Sequence, residues 1–139
     1  MTITEQDVYT LAPFARTLGI RFGALKADAV TAQLAYTAEQ STVGAAMHGG
    51  ALMGLADVAG AVCATLNGSA GTVPATMEST THFLRPVHGT GAFATSRPLH
   101  VGRSTVAVEI DIRDDKDRLC ARVTQLVALQ RRHDYPEAP

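Results

Sequence analysis

The chain has 139 residues and a mass of 14.6 kDa, which at roughly 150 residues per domain makes it a single domain and excludes a second. Twelve Lys and Arg against thirteen Asp and Glu leave a net charge of −1, without the basic footprint that binding a nucleic-acid backbone requires. Aromatic residues are only 5% and Trp is absent, so Ala, Val, Leu and Met have to fill the core, with the backbones of neighbouring elements close together.

The polar, acidic start Met1-Thr2-Ile3-Thr4-Glu5-Gln6-Asp7 lacks the basic residues and apolar run of a signal peptide, and the protein is expected in the cytoplasm. Apolar side chains at Val8, Leu11, Ala12, Ala15 and Leu18 predict an amphipathic helix over 7–18, with Pro13 early enough to be tolerated and Gly19 as its end. Ile20 to Leu25 and Ala29 to Tyr36 read as a β-hairpin turned at Lys26-Ala27-Asp28. Next comes His48-Gly49-Gly50, followed by a stretch from Ala51 to Leu66 that is apolar on nearly every face and is stopped by Asn67-Gly68. Gly54, Asp57, Gly60 and Thr65 interrupt this stretch, and it is shorter than the ~20 residues a bilayer needs, so it reads as a buried helix and no membrane partner is expected.

Four further strands are predicted: Met77 to Leu84, Gly91 to Leu99, Ser104 to Arg113 and Leu119 to Gln130. In the third, Val106, Val108, Ile110 and Ile112 alternate with Ala107, Glu109, Asp111 and Arg113, the period of a strand with one buried face. The tail from Arg131 to Pro139 is expected to fray. Antiparallel strands with helices segregated to one face define an α+β domain, here about six strands curled around one helix.

Asp57 is the one charged residue between Gly50 and Leu66, and an ionised carboxylate in apolar surroundings needs a partner or access to water. It either marks where the helix surfaces or carries a function. His48-Gly49-Gly50 stands at the helix N-terminus, where backbone N–H groups lack intrahelical partners and the macrodipole favours negative charge. The glycines either turn the chain tightly or let a ligand atom reach the backbone, in which case the helix end can serve as an oxyanion hole. Asp57 lies eight residues after Gly49, about 12 Å along one helix, so a single chain cannot aim both at one carbon. If they cooperate, the second group comes from another copy packed antiparallel, giving a twofold assembly with two composite sites.

Other chemistries find little support. Cys63 and Cys120 have no disulfide or CxxC spacing, and Cys63 has no base near it in sequence. No GxSxG is present, since Ser69-Ala70-Gly71 only follows the helix. The five histidines, His48, His82, His88, His100 and His133, show no ligand spacing, so no metal and no cofactor is expected. Met47, Met53 and Met77 read as core filler rather than a specificity pocket.

Three segments together carry a resemblance: His48-Gly49-Gly50, an Asp nine residues after the His in Leu55-Ala56-Asp57, and Thr76-x-Glu78 leading into Phe83-Leu84-Arg85-Pro86. In order and spacing they resemble the hotdog-fold acyl-CoA thioesterases of the phenylacetate-degradation and 4-hydroxybenzoyl-CoA type, over roughly residues 15–130. The resemblance implies hydrolysis of a thioester to a free acid and CoA by a homodimer or homotetramer. It implies that Gly49 offers its N–H to the thioester carbonyl, that His48 shapes the loop or approaches the substrate, and that Gly50 and Thr42 contact the substrate. Asp57 of the other subunit acts as base or nucleophile, and Thr76 helps hold the attacking water. Phe83, Arg85 and the turn Val101-Gly102-Arg103-Ser104 would line the CoA channel, where an Arg can meet a phosphate. The family places Asn or Gln six residues before the His; here that position is Thr42, with Gln40 two residues further back. A non-catalytic acyl-CoA-binding module, or a hydratase or dehydratase on the same fold, are the alternatives. The retained Asp57 argues against the first, and Thr76 with the His48-Gly49-Gly50 arrangement argues against the second.

Overall fold

In the computed structural model, which describes residues 2–136 and Pro139, six antiparallel strands form one curved sheet around a central helix. The chain opens with α1, Glu5–Leu11, and α2, Pro13–Leu18. The single helix expected over 7–18 is therefore corrected to two. Proline has no N–H to continue a helix and pushes the preceding residue out of helical geometry, and Ala12 sits at φ −131°, ψ 77° while Pro13 starts the second helix. The first begins earlier than expected because Thr4 and Asp7 form a reciprocal capping box.

The hairpin follows as β1, Arg21–Leu25, and β2, Val30–Ala35. A two-residue ladder, β3 (Ser41–Thr42) with β4 (Ala46–Met47), then leads into α3, Gly49–Leu66. The ladder is too short to leave a periodic signal in the sequence. The remaining strands are β5 (Thr72–Phe83), β6 (Gly91–Val101), β7 (Thr105–Arg113) and β8 (Leu119–Arg131). Their order is β1-β2-β6-β7-β8-β5, which leaves β1 and β5 as edges.

Two expectations along these strands change. β5 begins at Thr72 rather than Met77; its early residues include Pro74, which only an edge strand accommodates readily. Thr76 therefore lies inside a strand. The tail is also less frayed than expected, since β8 runs on to Arg131 and the Arg132 N–H donates to the Gly71 carbonyl at 3.0 Å; positions 137 and 138 lie outside the described residues.

The core lies between α3 and the concave face of the sheet. Val106, Val108, Ile110 and Ile112 of β7 are all fully buried, and each such side chain contributes about 2 kcal/mol by leaving water. From the helix side, Leu55, Ala56, Ala59 and Cys63 meet them, and the approach is closest at Gly60. A side chain begun at Gly60 would lie 2.7 Å from the Gln125 amide and 3.2 Å from Ile110. Small residues here let the helix sit down on the sheet, as the composition requires. At the far end, the Asn67 amide donates to the Cys63 carbonyl of α3 and the Ala27 carbonyl of the hairpin turn, tying the helix terminus to the β1–β2 turn.

Candidate active site

One stripe of α3 is left uncovered by its own chain. Gly50, Met53 and Asp57 are exposed and Gly54, Val58 and Ala61 are half-buried, at the spacing of a single helical face. Asp57 is therefore not sunk in apolar surroundings. It sits where the helix surfaces, and its Oδ1 accepts a 2.7 Å hydrogen bond from the Thr76 hydroxyl of β5. That bond leaves Oδ2 open to a second partner.

The bulge at Met77 makes this contact possible. The β5–β8 register shifts between Thr76 and Glu78, so Thr76 pairs with Val127 and Phe83 with Ala121, both buried residues on the inner face of β8. Side chains alternate strictly along a regular strand, and positions 76 and 83 would then face opposite ways. The extra residue restores their common direction, so that Thr76 reaches Asp57 while Phe83 reaches the start of α3.

At that start, His48 is the N-cap. Its Nδ1 accepts from the Gly50 N–H at 2.8 Å, and its carbonyl accepts from Ala51 at 2.9 Å and Leu52 at 3.1 Å. His48 is held in turn by its own N–H, which donates to the Gln40 carbonyl at 2.9 Å. Among the described residues the Gly49 N–H has no partner, which makes it the free donor at the positive end of the helix dipole. The Phe83 ring packs against Gly49: a side chain begun there would meet that ring at 3.2 Å. Sequence reasoning placed Phe83 only along a channel, and no residue pattern announced its contact with Gly49.

Thr42 belongs to the same short ladder as Met47 and is exposed beside the helix start. Gln40 does not substitute for the missing amide, because its Nε2 donates to the Leu18 carbonyl at 2.9 Å and fastens the end of α2. Arg85 is exposed just beyond Phe83, its N–H donating to the Cys120 carbonyl at 3.0 Å. The turn Val101 to Ser104 lies elsewhere. Thr105 pairs with Ala128 and Ala128 with Ala75, so the turn stands two strands from Thr76, with Gly102 closing it onto the Thr105 carbonyl and Arg103 exposed.

The structure thus sorts the expected residues into two groups. His48, Gly49, Gly50, Thr42, Phe83 and Arg85 gather at one end of α3 and β5, while Asp57, Thr76 and the turn from Val101 to Ser104 gather at the other. Seven residues of β5 separate Thr76 from Phe83, about 23 Å of extended chain. Two surface depressions of about 380 and 250 Å³ are lined by Phe93, Arg113 and Asp115 among others and by Gly19, Arg21 and Gln33 among others; neither contains a residue of either group. Cys63 and Cys120 are fully buried, and burial pushes both thiols above their ordinary pKa, away from nucleophilic use.

Comparison with known proteins agrees with this architecture. Residues 44–121 match the family model of the thioesterase superfamily. The proofreading thioesterase EntH of Klebsiella pneumoniae is 34% identical over 104 residues, covering 74% of this chain and 75% of that protein. Among solved structures, thioesterase HI1161 of Haemophilus influenzae superposes with a TM-score of 0.88 at 22% identity, over 99% of this chain and 97% of that one. The PaaI protein of the E. coli phenylacetic acid degradation operon gives 0.79 at 24% identity, over 88% of each chain. The fold is that of the hotdog thioesterases. The chain belongs to the thioesterase superfamily.

Proposed function

We propose that the protein hydrolyses acyl-CoA thioesters at composite sites built by two copies of the chain. The observation that carries this reading is the division just described: a carboxylate held by Thr76 and an unpartnered helix N–H lie at opposite ends of one exposed stripe. A second copy, packed antiparallel along that stripe, sets the Gly49 end of one helix against Asp57 of the other. The exposed stretch Thr76 to Thr80 of edge strand β5 gives the same copy a further surface to cover.

In that arrangement the Gly49 N–H donates to the thioester carbonyl oxygen and, with the helix dipole, stabilises the negative charge that grows there. The Thr76 hydroxyl fixes Oδ1 of Asp57, so the open Oδ2 takes a proton from water as its oxygen attacks the carbonyl carbon. The tetrahedral intermediate collapses, the C–S bond breaks, and the departing CoA thiolate takes the proton back from Asp57. Attack by Asp57 itself, through an anhydride, is the alternative route, and a single turnover in ¹⁸O-water tests it, because label found in the Asp57 carboxylate rather than in the product acid requires the anhydride. Arg85 of one copy and Arg103 of the other are the cations offered to the CoA phosphates, one from each group.

The test is a panel of short, medium, long and aromatic acyl-CoA esters, following thiol release. Asp57→Asn is expected to lower kcat by about 10³-fold or more, within the reach of lost general-base and positioning effects, with the melting temperature kept. Near-normal turnover by that variant sinks the assignment. One observation favours a second reading, binding without turnover: Gln40 is committed to Leu18 and Thr42 has a shorter reach than an amide, so the carbonyl has fewer donors. That reading predicts saturable acyl-CoA binding by the unaltered protein with no thiol released.

A further inference from the structure

The exposed stripe of α3 also fixes a register, an inference that rests on the reading that Asp57 of one copy meets Gly49 of another. When two antiparallel helices set residue 49 against residue 57 in both directions, the axis relating them crosses each helix at the midpoint, residue 53. We propose that Met53 straddles this twofold axis, so that the two Met53 side chains meet and form one inner wall shared by both active sites.

The neighbourhood of Met53 fits a helix–helix contact. Met53 keeps 42% of its surface exposed, on a helix whose other long apolar residues, Leu52, Leu55 and Leu66, are buried. Gly50 and Gly54 flank it on the same stripe; His48 and Leu18 of the same chain lie where their side chains would begin, so neither glycine adds bulk of its own beside Met53. A knob at one position enters a hole made by four residues of the facing helix. For Met53 that hole is Gly50, Met53, Gly54 and Asp57 of the second copy. On the near side, α2 closes the flank, since a side chain begun at Gly54 would meet Leu18 at 2.8 Å.

The position has a consequence for substrate size. Met53 lies four residues, about 6 Å of helix rise, from Asp57 and the same from Gly49. Each site therefore has a Met53 from both copies on the side facing the axis, and an acyl group extending that way reaches the methionine pair first. Met is unbranched and flexible, so the wall yields to bulk, and what it yields it takes from the neighbouring site.

Cysteine substitution reads the register directly. Helices packed at about 8–10 Å with Cα atoms about 2.3 Å from each axis bring facing Cα atoms to about 3–5 Å, near the range a disulfide spans. Met53→Cys is expected to give a covalent dimer under mild oxidation, seen on a non-reducing gel and reversed by thiol. The native Cys63 and Cys120 are fully buried and do not compete. Ala61→Cys places its two copies about 24 Å apart along the axis and is expected to stay uncrosslinked. If the protein is an active dimer by light scattering but Met53→Cys does not crosslink, or Ala61→Cys does, the register is overturned while the divided site stands. If a strictly monomeric protein hydrolyses thioesters, the divided site falls and the register with it.

A second readout tests the wall independently of crosslinking. The ratio of kcat/KM for a branched or aromatic acyl thioester to that for acetyl should rise about tenfold in Met53→Ala and fall in Met53→Phe, the size of effect that pocket volume supports. A ratio unmoved in both variants overturns the shared wall.

Discussion

The two faces of α3 are made from similar residues and do opposite things. Toward the sheet, Ala56, Ala59, Gly60 and Cys63 are small and buried, and an atom added at Gly60 has to displace Gln125, Ile110 or Val108. Away from the sheet, Gly49, Gly50 and Gly54 are small where Phe83, His48, and Leu18 with Phe14 stand near, and Gly50, Met53 and Asp57 on that side are exposed. One face spends its glycine on packing within the chain, and the other leaves backbone and carboxylate available to something outside it. Small residues in a helix therefore carry no single meaning; what they face decides it.

Substitutions on the two faces should separate stability from turnover. Gly49→Pro removes the free N–H while keeping a residue favoured at the first helical position, and His48 at ψ 137° already has the extended geometry that a following proline requires. Thioester hydrolysis is expected to fall about 10²–10³-fold, the cost of one oxyanion donor, while the urea midpoint falls only by what it takes to shift the exposed Phe83 ring, less than in the buried variant that follows. Gly60→Val on the opposite face should do the reverse, costing about 2–3 kcal/mol of stability by overpacking against Gln125 and Ile110, measured by urea unfolding. In the protein that remains folded, kcat should stay within a few-fold of the original. If both variants lose stability alike, the distinction between the faces fails.

Smaller effects sharpen it. Thr76→Val keeps the shape of the strand but removes the hydroxyl from Asp57, and kcat is expected to fall about tenfold, near 1.4 kcal/mol, with Thr76→Ser restoring most of it. Far from α3, buried Asp114 closes the β7–β8 turn. Burial alone would raise its pKa, but hydrogen bonds from the Arg118 N–H and guanidinium and the Lys116 N–H outweigh this and hold it below the ordinary 3.8. A carboxylate lowered on folding contributes stability that is present above its unfolded pKa and is lost as pH falls through the folded one. The urea midpoint should therefore drop as pH goes below 3.8, and the drop should be shallower in Asp114→Asn.

The sequence made the plan of the fold legible through β7, whose alternation matches its burial residue by residue, and through α3, whose apolar surface demanded wrapping. It misled at Pro13, where a weak periodic signal ran across a break, and at Thr72 to Thr76, where the edge strand lacks a clear alternation. In the site, the separation of Gly49 from Asp57 was open to arithmetic because helix rise is constant. The bulge at Met77 was not, because a one-residue slip in pairing is set by the partner strand and leaves no mark in the residue pattern. Without it, Thr76 and Phe83 could not both be assigned to the helix side. The commitment of Gln40 to Leu18 was equally hidden, since it joins residues 22 apart.

The eight-residue step from Gly49 to Asp57 has a genetic consequence. With each site shared between two copies as proposed, a chain carrying Asp57→Asn and a chain carrying Gly49→Pro would each be defective at every site they form alone. When the two are mixed and exchange partners, each mixed pair would have one site that combines the sound Gly49 of the first with the sound Asp57 of the second, and one site that is doubly defective. Random exchange makes half of the pairs mixed, so about a quarter of the original activity should return from two inactive parents. Two broken alleles expressed in one cell would then complement each other, and a dominant loss would not be expected from either.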